Sequence, residues 1–297
     1  MVEHFTAEPG RLDVIVTAAT GLARADVQRA IAAGQVTVDG HVRPKSYRLA
    51  GGEAVNVSIV AAPELAGEGP ALPMRYRDEH LIVVAKPAGM ISHPTEHRRS
   101  GSLVNRLIGM GVPLSRGGGD LRPGIVHRLD VGTSGLMVVA CDDETHAALA
   151  SMMKRHEADR RYLALVRGSV EHDSFAVDAP LGRRGDRVVV DRTDGRAAET
   201  GFEVRERLPA ATLLEARPRT GRTHQIRVHC KAIGHPILGD GVYGGAGDDA
   251  TALGLDRPFL HSWRLAFDHP MTGARVEVEE ALPPELEQAL DRARERL

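Results

Sequence analysis

The chain has 297 residues, enough for two domains or one large fold with an appendage, and its 38 Lys plus Arg against 40 Asp plus Glu leave a formal charge of −2. A hydrophobic content of 42% is ordinary for a globular protein and excludes a disordered or collagen-like chain. Two cysteines, Cys141 and Cys230, leave no disulfide framework and no four-cysteine zinc site, and apolar runs such as Leu81 to Ala85 fall far short of the about 20 residues that cross a bilayer. The start, Met1-Val2-Glu3-His4, lacks the basic and apolar regions of a signal peptide, so a cytoplasmic protein with no membrane association is expected.

In chain order, Leu12, Ile15 and Val16, then Leu22, Val27 and Ile31 up to Gly34, predict two short helices. Val36 and Val38 alternate with polar neighbours, Asp39-Gly40 suits a tight hairpin, and Ala54 to Ser58 alternates again, which predicts a small sheet. Arg24, Arg29, Arg43, Lys45 and Arg48 outnumber the acids of this stretch and give it a positive face. The Ala-Ala-Pro-Glu-Leu-Ala-Gly-Glu-Gly-Pro-Ala-Leu segment, 61–72, has the composition of a linker. Beyond it, apolar runs at Ile82 to Val84, Val138-Val139, Val188 to Val190 and Leu213-Leu214, with a helical stretch from about Glu144 to His156, form an α+β pattern.

Three stretches carry chemistry. In Gly124 to Ala140, His127-Arg128-Leu129-Asp130 and Thr133-Ser134-Gly135 lie between two apolar segments; a carboxylate there suits a nucleophile or general base, although Asp beside Gly and Thr is also turn chemistry at the tip of a charged hairpin. The run from Arg217 to Lys231 holds five Arg or Lys and no acid, and calls for an anionic partner unless it is a solvated strand. His224, His229 and Cys230 within it do not have metal-ligand spacing. Tyr162, after Arg160-Arg161, is either a stacking platform for a base or a core aromatic. A hydrolase using Ser134 or Cys230 would lack a Gly-x-Ser-x-Gly elbow, and no phosphate-binding Gly-x-x-x-x-Gly-Lys loop is present.

The N-terminal stretch, with Ala23-Arg24-Ala25 and Gly34-x-Val36-x-Val38-Asp39-Gly40, resembles the RNA-binding module of the ribosomal-protein S4 type. Beyond it, His127-Arg128-Leu129-Asp130, Thr220 to His229, Gly234-His235-Pro236 through Tyr243-Gly244, Lys86-Pro87-x-Gly89, Tyr162 to Gly168 and Leu260-His261 resemble the RluA family of pseudouridine synthases, most closely its large-subunit ribosomal RNA D-type branch. That resemblance implies an α+β fold with a mixed, largely antiparallel sheet and flanking helices behind a small αα-β domain, divided as 1–62, a linker at 63–72 and a catalytic domain at 73–297. It implies isomerisation of uridine in RNA to pseudouridine by base flipping, with no cofactor and no metal. By the same resemblance Asp130 is the nucleophile, Arg222 the arginine paired with it, and Tyr162 the residue that stacks on the uracil and is a candidate to take the carbon-five proton. Arg128 is expected to fill the gap left by the flipped base, and His127, Arg24, Arg29, Lys45, Arg219 and Arg227 to contact RNA. The expected partner is ribosomal RNA, within large-subunit precursors, with transfer RNA or a non-catalytic RNA-binding role as alternatives, and the expected state is a monomer.

Overall fold

The computed structural model describes residues 2–22, 24–58 and 64–295. Ala23 of the helix-entry motif and residues 61–63 of the linker segment therefore lie outside the described residues. By contacts the chain divides into two units, Met1–Glu64 and Leu65–Leu297.

In the first unit, β1 (Val2–Thr6) and β2 (Gly10–Arg11) precede α1 (Leu12–Thr20) and α2 (Arg24–Ala32), followed by β3 (Val36–Val38), β4 (His41–Val42), β5 (Arg48–Leu49) and β6 (Ala54–Ser58). Alternation in β3 and β6 turns Val36, Val38, Val55 and Val57 onto Leu12, Val16, Val27 and Ile31 to form one core. Asp39 and Gly40 both take positive φ, 49° and 76°, as a tight hairpin between β3 and β4 requires. The strand β1 pairs antiparallel with β6 at an edge of the sheet and was not foreseen. In the first turn of α1, Asp13 is fully buried and accepts hydrogen bonds from Arg11, Arg24 and Gln28. Burial raises its pKa, but these donors outweigh burial and bring it down to about 2.

In the second unit, the strands are β7 (Met74–Arg77), β8 (Leu81–Lys86), β9 (Ser134–Ala140), β10 (Asp159–Arg167), β11 (Ser174–Asp178), β12 (Leu181–Arg184), β13 (Arg187–Val190), β14 (Glu199–Arg207), β15 (Ala211–Pro218), β16 (Leu260–Asp268) and β17 (Arg275–Glu279). The helices are α3 (Leu103–Gly109), α4 (Asp143–Arg155), α5 (Gln225–Ala232), α6 (Asp248–Leu253) and α7 (Pro284–Glu295). The main sheet runs β11-β14-β15-β10-β16-β9-β8-β7, with β17 also on β16 and β12-β13 as a separate hairpin. Every strand pair in the main sheet is antiparallel except β16 with β9, so the sheet is mixed and largely antiparallel, as expected. All residues of β8 and β9 are buried, which explains their unbroken apolar runs. Gly135 takes φ 114° where β9 meets β16, and a Cβ there would stand 2.2 Å from the Ser262 carbonyl oxygen.

Two expectations need correction. Residues 65–72 are not free linker: Leu65 and Leu72 pack on the core, and Asn105 of α3 donates its side-chain amide to Ala66 O and accepts the Glu68 N–H at its own carbonyl. The contact is so close that a Cβ on Gly67 would lie 2.7 Å from Gly109. The other reading of Asp130, the tip of a charged hairpin, does not hold as a regular hairpin either. Among the described residues no strand precedes β9 there, and only an isolated antiparallel bridge, Ile125 with Val139, and the Ala140 N–H to Gly124 O bond close the loop that carries Asp130.

Candidate active site

Leu129 is buried and exchanges hydrogen bonds with the Ser92 hydroxyl, which accepts the Leu129 N–H at 3.1 Å and donates to Leu129 O at 2.8 Å. The chain then turns, with Thr133 N–H donating to Asp130 O and Gly89 N–H donating to Val131 O. These bonds anchor the backbone on both sides of Asp130, whose side chain stays 16% exposed at the wall of a cavity of about 590 Å³. The same wall holds His127, Arg128, Tyr162, Arg222, His224 and Arg227, so the structure brings together six of the residues singled out from sequence around that carboxylate, all but His224 as expected site residues. Among the described residues, seven Arg or Lys side chains line the cavity, and Asp130 is its one acid. Such a wall concentrates a positive potential around a single carboxylate.

The ion partner of Asp130 is Arg227, not Arg222. Arg227 Nη1 lies 3.3 Å from Asp130 Oδ2, while its Nε and Nη2 donate to the two oxygens of buried Asp240 at 2.7 and 2.9 Å. Arg227 sits in the first turn of α5 and is 7% exposed, and its guanidinium carbon lies 4.9 Å from the Tyr243 ring centre. Arg222 precedes the helix and donates Nε to Ala197 O at 3.0 Å. Arg227 was expected to bind RNA; instead its fork is engaged by two carboxylates. Sequence reasoning missed Asp240 as its holder, although the Gly239-Asp240 motif was visible.

His224 Nε2 stands 3.9 Å from Asp130 Oδ2, and its Nδ1 bonds with the Tyr243 hydroxyl at 2.8 Å. Burial lowers its pKa although Asp130 raises it, so the ring is neutral at pH 7. Tyr162 lies at a register shift between β10 and β16, is 6% exposed, and has its pKa raised by burial. A bulge at that point aims one side chain out of the regular pleat. Behind the turn, Lys86 is 1% exposed and donates Nζ to Pro87 O and Met90 O. Burial brings its pKa down to about 7 despite the opposing pull of Asp130. Lys86 was noticed only as part of a motif.

His127, expected to contact RNA, lines the cavity as a neutral ring. Its Nε2 accepts the Val138 N–H at 3.0 Å, and burial, reinforced by Arg160, drops its pKa to about 3. Arg128 is exposed at the rim and has no ion pair among the described residues. Arg219 is 73% exposed, pairs with Glu199 and lies outside the cavity wall. Arg24, Arg29 and Lys45 belong to the first unit, where Asp13, Asp26 and the Gln28 side chain respectively engage them. Ser134 does bond to a histidine, His261, at 2.9 Å, but both are buried and neither reaches the cavity, and Cys230 is fully buried, so neither is a hydrolase nucleophile. Among the described residues no three His, Cys, Asp or Glu side chains converge to hold a metal ion.

Residues 80–232 match the RNA pseudouridylate synthase family, and residues 10–55 match the S4 domain. The chain is 40% identical to the uncharacterized RNA pseudouridine synthase YlyB of Bacillus subtilis, over 91% of this chain and 89% of that one. It is 38% identical to the ribosomal large subunit pseudouridine synthase D of Zymomonas mobilis, over 93% of this chain and 92% of that one. A solved human protein, RNA pseudouridylate synthase domain containing 1, superposes with a TM-score of 0.58 at 27% identity, over 73% of this chain and 87% of that one.

Proposed function

Because the chain belongs to the RNA pseudouridylate synthase family, we propose that Asp130 is the nucleophile with which it converts uridine to pseudouridine, and that its substrate is large-subunit ribosomal RNA. The observation that supports this reading is the single carboxylate, paired with Arg227, in a cavity whose other charged lining residues are Arg and Lys. A flipped uridine brings its phosphates to the cationic wall and its glycosidic bond to Asp130. The carboxylate adds to the sugar carbon or to the base as the bond to N1 breaks; the uracil turns, carbon five joins the sugar, the carboxylate leaves, and the carbon-five proton is lost while N1 gains one, so the isomerisation is proton-neutral. Arg227 holds the carboxylate in place for each step. Tyr162, at the cavity wall, offers its ring as a face for the uracil. Arg128 fills the gap in the stack. The D-type relative, named for the large ribosomal subunit, favours ribosomal over transfer RNA.

The enzyme acts as a monomer in this reading, and no described helix is long and apolar enough to cross a membrane. We place the enzyme in the cytoplasm, with the S4 domain supplying RNA affinity. The test is pseudouridine mapping by carbodiimide labelling and reverse-transcription stops, on ribosomal and transfer RNA from a deletion strain carrying wild type or Asp130→Asn. Stops in large-subunit RNA should vanish in the deletion and return only with wild type. Stops restored by Asp130→Asn would refute the nucleophile, and stops changing only in transfer RNA would refute the substrate.

A further inference from the structure

The turn that carries Asp130 is also gripped from the side away from the cavity. Arg257, 11% exposed in its side chain and not part of the cavity wall, donates Nη1 to Gly132 O at 3.1 Å. Its Nη2 donates to Ser134 Oγ at 3.1 Å and to Glu285 Oε1, at the start of α7, at 2.8 Å. The direction of this network follows from its far end. The Glu280 carbonyl can only accept, so His261 donates from Nε2, at 3.1 Å. Burial lowers the His261 pKa and keeps the ring neutral. Its Nδ1 therefore accepts the Ser134 hydroxyl proton, which leaves the serine lone pairs for Arg257. Every donor and acceptor in the chain Arg257, Ser134, His261, Glu280 O thus points one way, an arrangement that strengthens each bond.

We infer that Arg257 is a positioning residue: its fork fixes the Gly132–Ser134 backbone so that the Asp130 carboxylate is aimed at the reacting bond, and Glu285 ties that fork to the C-terminal helix. The inference rests on Asp130 being the nucleophile. A lysine cannot replace the fork, since one ammonium does not span Gly132 O, Ser134 Oγ and Glu285 with planar geometry. Releasing the turn lets the carboxylate drift, and a misplacement of about 1 Å is enough to cost about 100-fold in rate.

The test measures kcat and KM by tritium release from [5-³H]uridine-labelled RNA isolated from a strain lacking the gene, with full-length enzyme. Arg257→Ala is expected to lower kcat about 10- to 100-fold with KM within about twofold, since the residue lies outside the cavity wall. Guanidinium chloride should restore part of that kcat relative to an equal concentration of sodium chloride. Arg257→Lys, which keeps the charge and most of the volume and so guards against a folding failure, should show the same selective loss. Glu285→Gln should cost a few-fold and add nothing to Arg257→Ala. Wild-type kcat in Arg257→Lys, a loss confined to KM, or no rescue by guanidinium would overturn the inference. Asp130→Asn runs alongside: turnover in that variant would refute the nucleophile itself, whereas an inactive Asp130→Asn beside a fully active Arg257→Ala would refute only the role of Arg257.

Discussion

Asp13 in the first unit accepts hydrogen bonds from Arg11, Arg24 and Gln28 and is fully buried, whereas Asp130 in the second accepts one 3.3 Å bond from Arg227 and lines a cavity. Both are aspartates among arginines. Asp13 has its lone pairs met by its own chain, which stabilises the fold and leaves nothing for a ligand. Asp130 has its backbone pinned while one carboxylate oxygen has no protein donor among the described residues. The difference separates a carboxylate used for stability from one held ready for chemistry: the first is saturated at the side chain, the second is fixed through the main chain.

Exchanging the two carboxylates for amides should break this contrast most sharply. Asp130→Asn is expected to lower turnover by about a thousandfold or more and leave the melting temperature nearly unchanged. Asp13→Asn should leave kcat intact and cost the first unit about 1–3 kcal/mol, discounted for half-exposed arginine partners; urea unfolding of the full chain reads it. The two arginines near Asp130 come next. Arg227→Lys should reduce kcat about 100-fold, because one ammonium cannot serve Asp240 and Asp130 together, and Arg222→Lys less than about tenfold; steady-state kinetics rank them, and the reverse order would restore Arg222 as the aspartate's partner.

Titration sharpens the comparison further. The depressed pKa of Asp13, about 2, lies below its unfolded value, so its stabilisation is present above the ordinary carboxylate range and is lost as pH falls toward 2. Asp13→Asn should flatten acid unfolding in that window. Lys86 has the same proton balance in a higher window: its amine is neutral in the folded protein above about pH 7 but stays charged in the unfolded chain to about pH 10. The unfolded state binds the extra proton across that window, so stability should rise with pH there, and Lys86→Met should remove the rise in denaturant titrations. The smallest effect belongs to the rim. Arg219→Gln should weaken RNA binding a few-fold and lower the salt slope by about 1, with kcat unchanged, in filter-binding titrations.

Much of this was legible in the sequence because it is local. Alternation at Val36, Val38, Val55 and Val57 announced the small sheet, and the glycine- and threonine-flanked Asp130 stood between two apolar segments. What escaped depends on distant pairing. Whether Arg222 or Arg227 meets Asp130 is decided by where α5 begins and by Asp240 from a later loop. The role of His127 is set by the Val138 backbone across the turn. The edge strand β1 pairs with a segment some fifty residues away, and residues 65–72 look like linker by composition because their partner, α3, lies elsewhere in the chain.

Gly135 is buried and lies outside the cavity wall, yet the Ser262 main chain fills the space where its side chain would be. In a saturation-mutagenesis survey scored by growth or modification, its column should be as blank as that of Asp130, for reasons unrelated to reactivity. Only kinetics on purified, folded variants tells the two kinds of intolerance apart: at Asp130 the protein persists and the reaction stops, while at Gly135 the protein itself is what is lost.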